Sequence, residues 1–222
     1  MTEQGVQDLS AMEPVAVDLR LPSPDSFPVP FPVIALVASA GGITALVRVL
    51  EPMPSDLPAA VLVALHQDPN RASQLAEILR RSTRLRVTLA ADGMLMEPGT
   101  VLVVPPARHL LVTSEARIGL IPTGALPPAR PSADLMLSTL AVTCGTRALA
   151  VILTGMGHDG QAGVHAIAHC GGTVLAQDEA SSDFSSMPAA AVTTGRVQQV
   201  LAVEAIAEAI LKHVNADLGR VS

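Results

Sequence analysis

The chain predicts an α/β fold: a doubly wound, mostly parallel sheet with helices on both faces and a β-hairpin at one edge. Three observations predict it. Val33–Val37, Ala60–Leu65 and Ala148–Leu153 are short apolar runs without polar alternation, as expected of strands covered on both faces. Segments with helical apolar spacing separate such runs, the alternation that builds parallel sheets. Glycine, proline, asparagine or aspartate punctuates the junctions.

The elements follow in order. Strand Val33–Val37 breaks at Gly41 and Gly42, and Ile43–Leu50 then has helical spacing. Strand Ala60–Leu65 leads through Pro69 and Asn70 to a helix at Arg71–Arg81. A strand reads at Val101–Val104. Leu110–Thr113 and Arg117–Ile121, joined by Ser114, Glu115 and Ala116, read as the hairpin. Helix Ser132–Cys144 precedes strand Ala148–Leu153, and helix Gln161–Cys170 precedes strand Thr173–Ala176. Strand Val197–Leu201 and helix Val203–Val214 close the pattern.

Composition bounds the architecture. Roughly 190 residues from Val33 onward suffice for one such domain. Residues 1–32, with six prolines, five acidic residues and one arginine, read as a flexible acidic arm. The division is thus arm 1–32, folded domain 33–216 and tail 217–222. A net charge of −6, no Trp or Tyr and only three Phe leave neither a basic surface nor a stacking platform, which argues against nucleic-acid binding. The apolar stretch from Phe31 to Leu50 is interrupted by Ser39, Gly41, Gly42 and Arg48, and no basic segment leads into it. Membrane insertion and a signal peptide are therefore not expected, and the reading is a cytoplasmic protein. Cys144 and Cys170 read as buried reduced thiols. Arg80, Arg81, Arg84 and Arg86 read as a solvated helix end. His165 and His169 have i, i+4 spacing but no completing carboxylate, so neither a metal nor a cofactor is expected.

Three residues at strand ends carry candidate chemistry. Ser39 falls on a tight strand-to-helix turn, where the following amides can meet a developing negative charge. It is not a G-x-S-x-G elbow, since Val37 holds the first glycine position. Its plain alternative is a helix N-cap. His66 ends the next strand, where it could take a serine proton; its plain alternative is a polar loop histidine. Asp159 lies in the turn before a helix, either as a simple N-cap or as the carboxylate that orients His66. The spacing of Gly155, Gly157 and Gly160 is similar to a phosphate loop, but the loop's lysine is absent.

"ASAGG" around Ser39, "HQDP" from His66, "RPSADLML" from Arg130, "ILTGMGHDGQAG" from Ile152 and "LAQDEASSDFSSMPAAAVTTG" from Leu175 together resemble the catalytic domain of the CheB-type chemotaxis protein-glutamate methylesterases. The resemblance implies a serine hydrolase acting on methyl-glutamyl side chains of receptor helices, with glutamine deamidation as a further activity. It implies Ser39 as nucleophile, His66 as general base and Asp159 as its orienting residue. Met156 falls at the family's methionine near the site, and the amides around Ala40, Gly41 and Gly42 are the oxyanion candidates. Implied partners are methylated chemoreceptor helices. Residues 1–32 are too few for the receiver domain such proteins usually carry, so a separate regulator acting in trans is the expectation. Departures fall around the cleft: Ala40 in place of the usual threonine, Leu65 and Gln67 flanking His66, His158 before Asp159, and "PTGALPPAR" before Pro131. They leave open a same-fold esterase or amidase with another substrate, or a non-catalytic interaction module.

Overall fold

The computed structural model describes residues 29–124 and 130–218. Seven parallel strands form one sheet in the order β3-β4-β2-β1-β7-β8-β9. These are β1 (Val33–Ala38), β2 (Ala60–Leu65), β3 (Arg86–Leu89), β4 (Thr100–Val103), β7 (Ala148–Ile152), β8 (Thr173–Gln177) and β9 (Gln199–Leu201). The helices are α1 (Gly42–Leu50), α2 (Leu75–Ser82), α3 (Ala133–Cys144), α4 (Gln161–His169), α5 (Ser186–Thr193) and α6 (Val203–Leu218).

Period-two alternation along β1 explains its continuous apolar run. Ile34, Leu36 and Ala38 join a core with residues of α1, α2 and α6, while Val33, Ala35 and Val37 join a second core with residues of α3 and α4. Both faces are dry, so neither set can be polar. The chain leaves β1 toward β2 on one side, and β7 pairs with β1 on the other. The strand order therefore reverses between β1 and β7, the place where open α/β sheets open a crevice at their carboxyl ends.

The structure differs from the sequence expectations in definable places. The hairpin, β5 (Arg108–Val112) with β6 (Ile118–Pro122), does not pair with an edge of the main sheet. It forms its own two-stranded sheet, tied to α3 where the Val112 amide donates to Thr139 Oγ1 at 3.0 Å. Strand β3 was not expected, because its exposed ends at Arg86 and Leu89 hide the apolar signal of an edge strand. Helix α5 was not expected either. Its Pro188, Val192 and Thr193 disguise a helix that buries Met187, Pro188 and Ala191. Helix α2 starts at Leu75 rather than Arg71, since Asp68 holds a turn by accepting from the Asn70 amide at 3.0 Å. At the other ends, Val29 is fully buried with Phe31 packed beside it, so the folded body includes residues assigned to the arm. Helix α6 runs to Leu218, and Asp217 within it pairs with Arg147 at 3.5 Å. Residues 1–28 of the arm, Ala125–Ala129 of the "PTGALPPAR" segment and 219–222 of the tail lie outside the described residues.

Cys144 and Cys170 are both free thiols. Burial pushes the Cys144 thiol up to about 12, so it stays protonated and unreactive. Arg80 and Arg81 both pair with Glu77 within α2, which leaves their charge partly compensated.

Helices α3 and α4 approach at Gly163. A Cβ placed there would stand 2.5 Å from Leu137 Cβ, an atom fixed to its own backbone. Gly163→Ala is therefore expected to lower stability by about 1–3 kcal/mol despite alanine's better helix propensity. The urea unfolding midpoint checks this, and an unchanged or raised midpoint would contradict the close packing.

Candidate active site

Ser39 follows β1 directly, and its amide donates to Thr154 O at 3.0 Å, stitching the ends of β1 and β7 together. Thr154 is buried. Its amide donates to Gln177 Oε1 at 2.8 Å, and its hydroxyl lies 3.1 Å from Ala40 O and 3.2 Å from Phe184 O. The turn past Ser39 is closed by Gly41, whose φ of 76° belongs to the left-handed region that glycine tolerates. Gly41, not Ser39, is the N-cap of α1, with no side-chain cap. The plain reading of Ser39 as a helix cap therefore fails, and its hydroxyl has no such structural task.

The oxyanion candidates can be sorted by what their amides already do. The Gly42 amide donates to Ser39 O at 2.9 Å and is committed to the turn. The Ala40 and Gly41 amides donate to no described residue, and they sit at the N-terminus of α1, where the helix dipole favours negative charge. Met156 is 61% exposed on the loop after β7.

His66 follows β2, with its amide donating to Ala38 O at 3.0 Å. Its Nε2 stands 2.8 Å from Asp159 Oδ2, with the two side chains only 14% and 12% exposed. Asp159 is not the cap of its own helix, because Gly160 holds that position. It serves another helix. Asp159 Oδ2 accepts from the Ala133 amide at 2.6 Å, and Oδ1 from the Asp134 amide at 3.3 Å. The Ser132 hydroxyl lies 3.4 Å from Oδ1. The carboxylate thus lies at the N-terminus of α3, within the field of that helix. Burial by itself would raise the Asp159 pKa. The bond from His66, the Ala133 and Asp134 amides and the attraction of His66 together outweigh burial and hold it below the ordinary carboxylate value.

Behind this pair stands His109, buried on β5, whose Nδ1 accepts from the Ser132 amide at 2.9 Å. Burial pushes its pKa down, against the pull of Asp159. An Nδ1 that accepts fixes the neutral tautomer with its proton on Nε2. Asp134 accepts from the Gly163 amide at 2.8 Å and so ties α3 to α4; burial raises its pKa. Sequence reasoning missed His109, Ser132 and Asp134 as supports. The signal for α3 was present in "PSAD", a proline and a capping serine before an acidic first turn.

The structure thus brings Ser39 and His66 to a common cleft of about 560 Å³, lined also by Gly41 and Gly42, with Asp159 behind His66. Among the described residues no hydrogen bond joins Ser39 to His66. No described group of three or more His, Cys, Asp or Glu side chains is placed to hold a metal ion.

An α/β sheet with serine, histidine and aspartate gathered at adjacent strand ends defines a candidate serine hydrolase. The CheB methylesterase family model matches residues 34–210, and the chain belongs to that family. It is 40% identical over 188 residues to the protein-glutamate methylesterase FrzG of Myxococcus xanthus, covering 85% of this chain and 56% of that protein. It is 36% identical over 184 residues to a protein-glutamate methylesterase/protein-glutamine glutaminase of Pyrococcus horikoshii, covering 82% of this chain and 50% of that protein. The chain spans about half the length of these curated relatives. The crystal structure of the Thermotoga maritima CheB methylesterase catalytic domain superposes with a TM-score of 0.79 at 29% identity, covering 83% of this chain and 99% of that one.

The Asp159 carboxylate links the site to stability. Its folded pKa lies below the unfolded value, so its contribution is complete above about pH 4 and is lost as pH falls through the lower folded value. Asp134, with a raised pKa, acts in the opposite sense, favouring the fold at low pH and less so as pH rises through its folded value. Asp159→Asn is expected to flatten the loss of stability below about pH 4. Urea midpoints measured across that range check this, and an acid limb unchanged from wild type would contradict the anchored carboxylate.

Proposed function

We propose that this chain is a serine hydrolase that removes methyl esters from glutamate side chains of chemoreceptor-type proteins, and that glutamine side chains are deamidated at the same site. The observation that carries the reading is the His66–Asp159 pair at 2.8 Å on the cleft that Ser39 also lines. The names of the relatives support the substrate class.

The geometry supports a definite proton path. Asp159, kept ionised by its amide donors, holds the His66 proton on Nε2 and leaves Nδ1 as the basic nitrogen. Nδ1 takes the Ser39 proton as Oγ attacks the ester carbonyl. The Ala40 and Gly41 amides receive the oxyanion of the tetrahedral intermediate. Methanol leaves with the proton from His66, or ammonia in the case of glutamine. Water, activated by His66, then cleaves the acyl-serine and releases glutamate. Asp159 keeps its charge throughout and stabilises the transient imidazolium.

Among the described residues no helix is long and apolar enough to cross a membrane. The proposal also includes a cytoplasmic location, facing receptor helices, and a separate regulator acting in trans.

Ser39→Ala is expected to reduce methanol release from a methylated receptor fragment by at least about a thousandfold. Because Ser39 caps no helix, the same change should move stability by less than about 0.5 kcal/mol. Retention of near wild-type turnover by a folded Ser39→Ala protein would remove the serine mechanism.

A further inference from the structure

The cleft has two walls. One is the β1–α1 turn carrying Ser39, Gly41 and Gly42; the other is the end of β2 and the start of α2, carrying His66 and Gln67. The main chain at Gln67 is fixed, its amide donating to Arg130 O at 3.1 Å. Its side-chain Nε2 is buried, yet it has no hydrogen-bond partner among the described residues. A buried amide nitrogen with two unused donors costs folding free energy, and native structures keep such groups rarely and with a reason. A methylene chain of the same length would fill the space without that cost.

We propose that the Gln67 side-chain amide is a substrate-recognition donor, which rotates from its buried position on the cleft wall to meet a carbonyl oxygen of the polypeptide that flanks the ester. The inference rests on the hydrolase reading and adds to it the part of the substrate that is gripped. Three features select this acceptor. The primary amide is neutral, so it suits a carbonyl oxygen without demanding an anion. The reacting carbonyl already has its donors on the opposite wall, in the Ala40 and Gly41 amides. Gln67 lines the same cleft as Ser39 and His66, so an acceptor it holds belongs to substrate lying in that cleft beside the scissile group. A donor paired only in the complex raises affinity for protein substrate and lowers the stability of the free enzyme.

Gln67→Met tests this, because it keeps side-chain length and removes the donors. The urea midpoint is expected to rise. With a helical peptide carrying one glutamate γ-methyl ester, kcat/KM is expected to fall about three- to tenfold, carried by KM. In a Ser39→Ala background, fluorescence anisotropy should show the same peptide bound more weakly by that factor once Gln67→Met is added. The binding arm separates the two readings. Gln67-dependent binding without turnover would overturn the hydrolase reading alone, and turnover with binding indifferent to Gln67 would overturn this inference alone. A lowered midpoint would show that the amide has a partner in the free enzyme and would overturn the inference too. So would a loss carried by kcat, or absence of peptide binding.

Discussion

The site depends on one carboxylate held in two ways at once. Asp159 accepts from the first amides of α3 and also pairs with His66. A buried carboxylate facing only His66 would bear a large desolvation cost and would tend to protonate. The amides of α3 prevent that by supplying fixed donors and the positive end of a helix. The orientation of His66 is therefore a property of how α3 is placed, and α3 is placed by its packing against α4 and by His109 at Ser132. Core and chemistry are joined through the same few groups.

Topology supplies the remaining constraint. Because the strand order reverses between β1 and β7, the loops after those strands diverge and leave a crevice. Ser39 comes from one side of it and Asp159 from the other, while His66 arrives from β2. The Thr154 hydroxyl donates across the gap to Ala40 O and accepts from the Phe184 amide, which fixes the spacing without filling the cleft. Each side chain rides on a short loop anchored to a buried strand, so its position is set by the sheet.

Much of this was legible in the sequence for a physical reason. Strands buried on both faces cannot disguise themselves, so β1, β2 and β7 stand out as apolar runs, and the polar residue that follows each is conspicuous. Ser39 and His66 were singled out as candidates this way. Asp159 was singled out as a residue and α3 as a helix, but the bonds between them were not read, because capping is normally local and here it is made across the fold. Edge strand β3 and helix α5 were hidden by exposed and helix-poor residues whose conformation is fixed by tertiary contact. That the hairpin β5–β6 packs on α3 and pairs with no edge depends on contacts distant in sequence, and periodicity carries no record of them. The committed role of the Gly42 amide was equally beyond reach, since it depends on the closure of a single turn.

The most direct test of the account is covalent labelling with a fluorophosphonate, followed by peptide mass spectrometry and compared between wild type and Asp159→Asn. A reactive Ser39 needs a correctly oriented His66, and that orientation is assigned to Asp159. The account predicts one adduct, on Ser39, with a labelling rate at least about a hundredfold lower in the variant. An adduct on another residue, or equal labelling rates in the two proteins, would contradict it.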